Sequence, residues 1–161
     1  GEFVLYESIA ILSYLDRKFP EPPLFGQNAE ENGLIWRALS EFICYLQPAL
    51  QQQIVRPIYG GKVAEQRQSI EDGAGRVHEE LKKYEAALGA HEWLASARLS
   101  AADLFVFPHF MSLLRAATRP AAEGLQLGIL PLEKNYPQIA AWIARVQALP
   151  GYDKTFPPHW R

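Results

Sequence analysis

The stretch Leu99-Ser100-Ala101-Ala102-Asp103-Leu104-Phe105-Val106-Phe107 decides how the chain is read. Ser100 stands where a helix would begin, and Asp103 completes a capping box. The serine hydroxyl accepts from the Asp103 N–H, and the carboxylate reaches back to the Ser100 N–H. Leu99 and Leu104 are placed as the hydrophobic staple around that box. An acid in the first turn also suits the positive end of the helix dipole. Beyond it, Leu104, Phe105, Val106, Phe107, Phe110, Met111, Leu113 and Leu114 are apolar almost all round. Such a helix belongs in the middle of a bundle. Asp103 has two readings, a general base or ligand and a structural cap, and this context favours the cap.

Outward from that centre the pattern is helical from about Glu30 to Glu133. Trp36, Leu39, Ile43, Leu46 and Leu50 recur at steps of three and four, one stripe of a long helix, with Pro48 set to kink or break it. Ile70, Val77, Leu81, Tyr84 and Leu88 make a second stripe, closed by Gly89. Ile139, Trp142, Ile143 and Val146 make another, started near Pro137 and stopped by Pro150-Gly151. The expected fold is an all-α helical bundle over 29–161. Ahead of it, Phe3 to Tyr6 reads as a short strand, and Ser8 as the cap of a helix ending at Phe19-Pro20. The proline-rich connection over 21–28 is the expected domain boundary, with 1–20 as the end of a preceding domain. A lone strand has no partner to pair with, so the chain is expected to be incomplete, with a sheet-bearing region upstream. An artificial start at Gly1-Glu2-Phe3 is the alternative.

Composition narrows the function classes. The chain has 161 residues, 48% of them hydrophobic, which excludes a disordered polypeptide. Sixteen Lys and Arg against eighteen Asp and Glu give a net charge of -2, no footprint for nucleic acid or an anionic bilayer. No apolar run approaches the length of a membrane span. One cysteine, Cys44, permits no internal disulfide and suits a reducing compartment. Mid-helix among apolar neighbours, it reads as a buried, inert thiol. His78, His91, His109 and His159 are not spaced as a metal pair, so no metal is expected. His109 reads as a core or boundary histidine. Nucleophile-elbow and phosphate-loop patterns are absent.

Glu7-Ser8 is the polar pair placed where chemistry is plausible, at the start of a helix. Open N–H groups and the dipole there favour a carboxylate. Ser8 could hold that carboxylate and Glu7 an ammonium group, together the α-amino-acid end of a small ligand. On the residues alone, an ordinary cap beside a solvated charge is the favoured reading of the pair.

Phe3-Val4-Leu5-Tyr6-Glu7-Ser8-Ile9-Ala10-Ile11-Leu12 resembles the last strand and third helix of the thioredoxin-like half of cytosolic glutathione transferases. Trp93-Leu94-Ala95 with Leu99-Ser100-Ala101-Ala102-Asp103-Leu104 resembles the central helix start of their all-α half. Tyr136-Pro137, Trp142 and Leu149-Pro150 resemble its closing helix. The likeness implies a C-terminal all-α domain, with a remnant strand and helix of the thioredoxin-like domain, of a bacterial-type transferase. It implies that Glu7 and Ser8 bind the γ-glutamyl end of glutathione, the co-substrate, and that the helical half walls the pocket of a small electrophile. Phe42 and Tyr45, on the face opposite the Trp36 stripe, are the expected substrate wall. Trp160 is a candidate cover for that pocket. A cytoplasmic homodimer is implied too. The thiol-activating residue, which the family carries on its first strand and helix, is expected upstream, so catalysis by these residues alone is not expected. The rivals are a non-catalytic interaction module and a carrier of apolar ligands.

Overall fold

The computed structural model describes residues 3–156. Trp160 therefore lies outside the described residues. The helices are α1 (Ser8–Lys18), α2 (Ala29–Glu41), α3 (Arg56–Tyr59), α4 (Arg67–Ala90), α5 (Ala101–Ala117), α6 (Leu132–Asn135) and α7 (Pro137–Gln147). Short 3₁₀ turns follow α5 and α7, at Pro120–Ala122 and Tyr152–Thr155. Among the described residues there is no strand. Phe3 to Tyr6 is unpaired, with Phe3, Val4 and Tyr6 exposed, because no second strand is there among the described residues to exchange backbone hydrogen bonds with it.

α5 runs through the core, as its all-round apolar surface requires. Val106, Phe107, Phe110, Leu113 and Ala116 are buried against α4, α7 and the segment after α2. Phe110 sits edge-on between Tyr84 of α4 and Trp142 of α7, with ring centroids 5.6 and 5.4 Å away. A second, smaller cluster joins Phe25, Ile35, Leu39, Ala101 and Ala102, with Ile9 and Leu12 of α1 packed on it.

The capping box is present, and it does more than cap. Asp103 is fully buried. Its Oδ2 accepts from the Ser100 N–H and hydroxyl at 3.0 and 2.9 Å; its Oδ1 accepts from the Leu94 N–H and Trp142 Nε1 at 3.0 and 2.9 Å. Burial pushes the Asp103 carboxyl upward, and those donors oppose the shift. One side chain thus ties the preceding loop, α5 and α7 together. α7 is anchored a second time from α4: the Glu85 carboxylate accepts the N–H groups of Gln138 and Ile139 at 2.7 and 3.0 Å. His78 of α4 bridges the Tyr136 hydroxyl and the Leu127 carbonyl. Its ring lies so close to Gly128, at φ 65°, that a Cβ there would meet Nε2 at 2.8 Å.

The long second helix corrects the expected stripe. Ile35, Leu39, Phe42, Leu46 and Leu50 face inward, whereas Trp36 and Ile43 are half-exposed. After α2 the backbone widens into π-helix over Phe42–Leu46 and Pro48–Val55 before α3. The Gln47 N–H reaches back to the Phe42 carbonyl, five residues away. Pro48 has no N–H to give, and its ring crowds the carbonyl of an α-helical turn. The wider turn accommodates it without a break. Cys44 lies on the outer side of this widened helix and is exposed, not buried as its neighbours suggested.

Gly89 does not close α4, which runs one residue past it to Ala90 and is followed by extended His91. The 21–28 connection is tied down at its middle, from α1 and from α5. Asp16 Oδ1 accepts the N–H groups of Leu24 and Phe25 at 2.6 and 3.2 Å, and the Leu24 carbonyl accepts from Ala101 at 2.8 Å.

Candidate functional site

The start of α1 is the first candidate. Glu7, not Ser8, is the N-cap residue, and it makes no side-chain capping bond. Its φ of 72° and ψ of 120° form the one positive-φ non-glycine conformation among the described residues. A side chain held there costs about 1–3 kcal/mol and is retained where the surroundings or the function demand it. The first bond of α1 runs from the Ile11 N–H to the Glu7 carbonyl at 3.0 Å. The N–H groups of Ser8, Ile9 and Ala10 therefore have no acceptor within the helix. With Glu7 and Ser8 both exposed and no acid in the first turn, the geometry offers anion-binding donors beside a carboxylate.

Phe42 and Tyr45 are not brought together. Phe42 is 0% exposed, locked against Phe105 and His109 at centroid distances of 5.9 and 5.0 Å. Tyr45 is 62% exposed, with the Lys83 ammonium 6.0 Å from its ring centroid. Phe42 thus belongs to the inward stripe, which the Trp36 register put on the other side, and Tyr45 stands on the outer face.

Two cavities bear on ligand binding. An apolar cleft of about 760 Å³ lies between α5 and the turn after α7, walled by Leu104, Phe107, Met111, Val146, Leu149 and Phe156. A polar cavity of about 450 Å³ is walled by the π-helical segment and His109. His109 is half-buried as a boundary histidine, and burial lowers its pKa. Its Nδ1 is 2.9 Å from Gln51 Nε2, a partner 58 positions away that no sequence signal announces. Among the described residues no group of His, Cys, Asp or Glu is gathered as a metal site, and no helix is long and apolar enough to cross a membrane.

The architecture is a helical bundle whose central helix opens on a capping box, preceded by a helix with a strained acidic cap. Residues 67–145 match the model of the glutathione S-transferase C-terminal domain. The chain is 25% identical over 163 residues to glutathione S-transferase Z1 of Arabidopsis thaliana, covering 98% of this chain and 66% of that protein. It is 34% identical over 113 residues to glutathione S-transferase F10 of the same plant, covering 67% and 52%. The structure of Ure2p5 from Phanerochaete chrysosporium, cocrystallised with 1-(S-glutathionyl)-2,4-dinitrobenzene, superposes with a TM-score of 0.73 at 21% identity, covering 94% of this chain and 67% of that one. The last likeness is one of fold. Residues 67–145 thus resemble the glutathione S-transferase C-terminal domain, and the chain is similar to glutathione S-transferase Z1 over 98% of its length. It spans about two thirds of the length of the Z1 and Ure2p5 relatives.

Proposed function

We propose that this chain is the glutathione-gripping and electrophile-facing part of a transferase that joins the glutathione thiolate to a small electrophile. The observation that carries the proposal is the start of α1. The strained Glu7 backbone sets a carboxylate beside the open N–H groups of Ser8, Ile9 and Ala10. In this reading the Ser8 N–H and hydroxyl donate to the α-carboxylate of the γ-glutamyl residue, and the Glu7 carboxylate accepts from its ammonium. The glutathione conjugate held by Ure2p5 supports a product of that class. Residues 1–20 belong with a thioredoxin-like domain, 21–28 are the linker, and 29–161 are the all-α domain. The working unit is a cytoplasmic homodimer, and no residue in this chain is assigned to thiol activation. The test is glutathione affinity of the gene product purified from its own source. Replacing Glu7 and Ser8 together by alanine weakens it tenfold or more, about 1.4 kcal/mol; unchanged affinity would end the assignment.

A second reading, a carrier of apolar ligands, is favoured by the cleft between α5 and the Tyr152–Thr155 turn. Saturable binding of an apolar dye that ignores excess glutathione, and that is lost in Met111→Glu, would support it.

A further inference from the structure

Glu7 and Ser8 stand at the start of α1, and Asp16 lies further along the same helix, ~12 Å down its axis from Ser8. α1 is loosely seated. None of its residues is buried, and Ile9 and Leu12 rest half-buried on the cluster of Phe25, Ile35, Leu39, Ala101 and Ala102. Apolar contact of that kind is non-directional, so it holds the helix without fixing its angle.

Direction comes from one side chain. Asp16 Oδ1 accepts the N–H groups of Leu24 and Phe25 at 2.6 and 3.2 Å. Among the described residues no other α1 side chain hydrogen-bonds outside its own helix. Leu24 and Phe25 are in turn fixed to the bundle. The Leu24 carbonyl accepts the Ala101 N–H at 2.8 Å, one of the first-turn donors of α5 that has no acceptor within the helix. The Phe25 carbonyl accepts from Asn32 Nδ2 of α2 at 3.0 Å, and its buried ring lies 5.3 Å from that of Trp36, centroid to centroid. A continuous set of bonds thus runs from α1 through Asp16 to α2 and the start of α5.

We propose that Asp16 is a positioning residue: it sets the direction of α1, and with it Glu7 and Ser8, against the helical half that faces the electrophile. The inference rests on the glutathione reading of Glu7 and Ser8. A thiol held from α1 and an electrophile held by the bundle react at a rate set by their mutual placement, where about 1 Å of error can cost about a hundredfold. The grip on glutathione is local to the start of α1 and does not need Asp16.

The experiment compares Asp16→Ala and Asp16→Asn with the parent in the full-length gene product. Calorimetry reads glutathione affinity. Steady-state rates read conjugation to 1-chloro-2,4-dinitrobenzene, the electrophile that yields the conjugate held by Ure2p5. Asp16→Ala is expected to keep glutathione affinity within about twofold while kcat/KM for the electrophile falls about tenfold. Asp16→Asn keeps an acceptor oxygen for the same two N–H groups and is expected to recover most of that loss. An unchanged kcat/KM in Asp16→Ala overturns the inference. A fall in glutathione affinity equal to the fall in kcat/KM does so too, as the mark of a residue that only holds the fold. An Asp16→Asn as slow as Asp16→Ala is a third overturning result. Should Asp16→Ala fail to fold, Asp16→Glu, which keeps the carboxylate but displaces it by a methylene, decides by the same two readings. A parent that conjugates nothing ends the transferase reading and this inference with it; a conjugating parent indifferent to Asp16 ends this inference alone.

Discussion

At Glu7 the backbone carries a cost that the amino-acid letter does not reveal. With φ at 72°, a residue without Cβ is easier to accommodate. Glu7→Gly is therefore expected to raise the unfolding free energy by about 0.5–1 kcal/mol while weakening glutathione binding. Urea unfolding and titration on the same variant check both; a less stable Glu7→Gly would show that the strain is not there to be relieved. His109 gives the pH prediction. Its folded pKa lies below the ordinary value, because burial penalises the charged ring. The neutral ring therefore contributes stability that is fully present above about pH 6.5 and is lost as pH falls through the lower folded value. The parent chain should lose stability below that point more steeply than His109→Phe, measured by unfolding at stepped pH; parallel curves would refute it. That Ser100 and Asp103 pair was legible, since a capping box is a local spacing. That Trp142 and Leu94 also converge on Asp103 was not, since Trp142 is 39 positions away and only packing brings it there.

Among the elements, the widened helix shows where periodicity stops being decisive. Trp36-Leu39-Ile43-Leu46-Leu50 and Ile35-Leu39-Phe42-Leu46-Leu50 both satisfy three-and-four spacing, because apolar residues occupy more than one face. Packing against α5 selects the second, and so Phe42 goes inward with Phe105 and His109. No pattern of letters signals the π-helical turns either, although Pro48 marks their place. α7 illustrates a helix start supplied from elsewhere. Pro137 opens it as its sequence indicated, but its exposed N–H groups are met by Glu85 from α4. A carboxylate that both accepts first-turn bonds and faces the positive end of the dipole is worth about 1–2 kcal/mol. Glu85→Ala is expected to cost that much in urea unfolding, and Glu85→Gln about half, since the amide keeps one acceptor. An unchanged midpoint in Glu85→Ala would mean that solvent caps α7 equally well.

For the whole molecule, the contrast lies between a finished core and an unfinished edge. The bundle built on α4, α5 and α7 buries its large side chains, and Asp103 binds three parts of it. α1 has no buried residue, and Phe3, Val4, Tyr6, Ile11, Tyr14, Leu15 and Phe19 all remain exposed. An apolar surface of this extent, gathered at one end, associates with whatever apolar surface it meets. The 161-residue chain on its own should therefore self-associate in a concentration-dependent way. Ile11→Glu with Leu15→Lys removes two of the exposed aliphatic residues without touching the core and adds an i,i+4 pair to α1. Sedimentation should show the double variant shifted toward monomer, with a far-ultraviolet helical signal equal to that of the parent. The same oligomer distribution in both proteins would mean that α1 is not the sticking face and that association, where seen, runs through another surface such as the exposed Cys44–Tyr45 side of the widened helix.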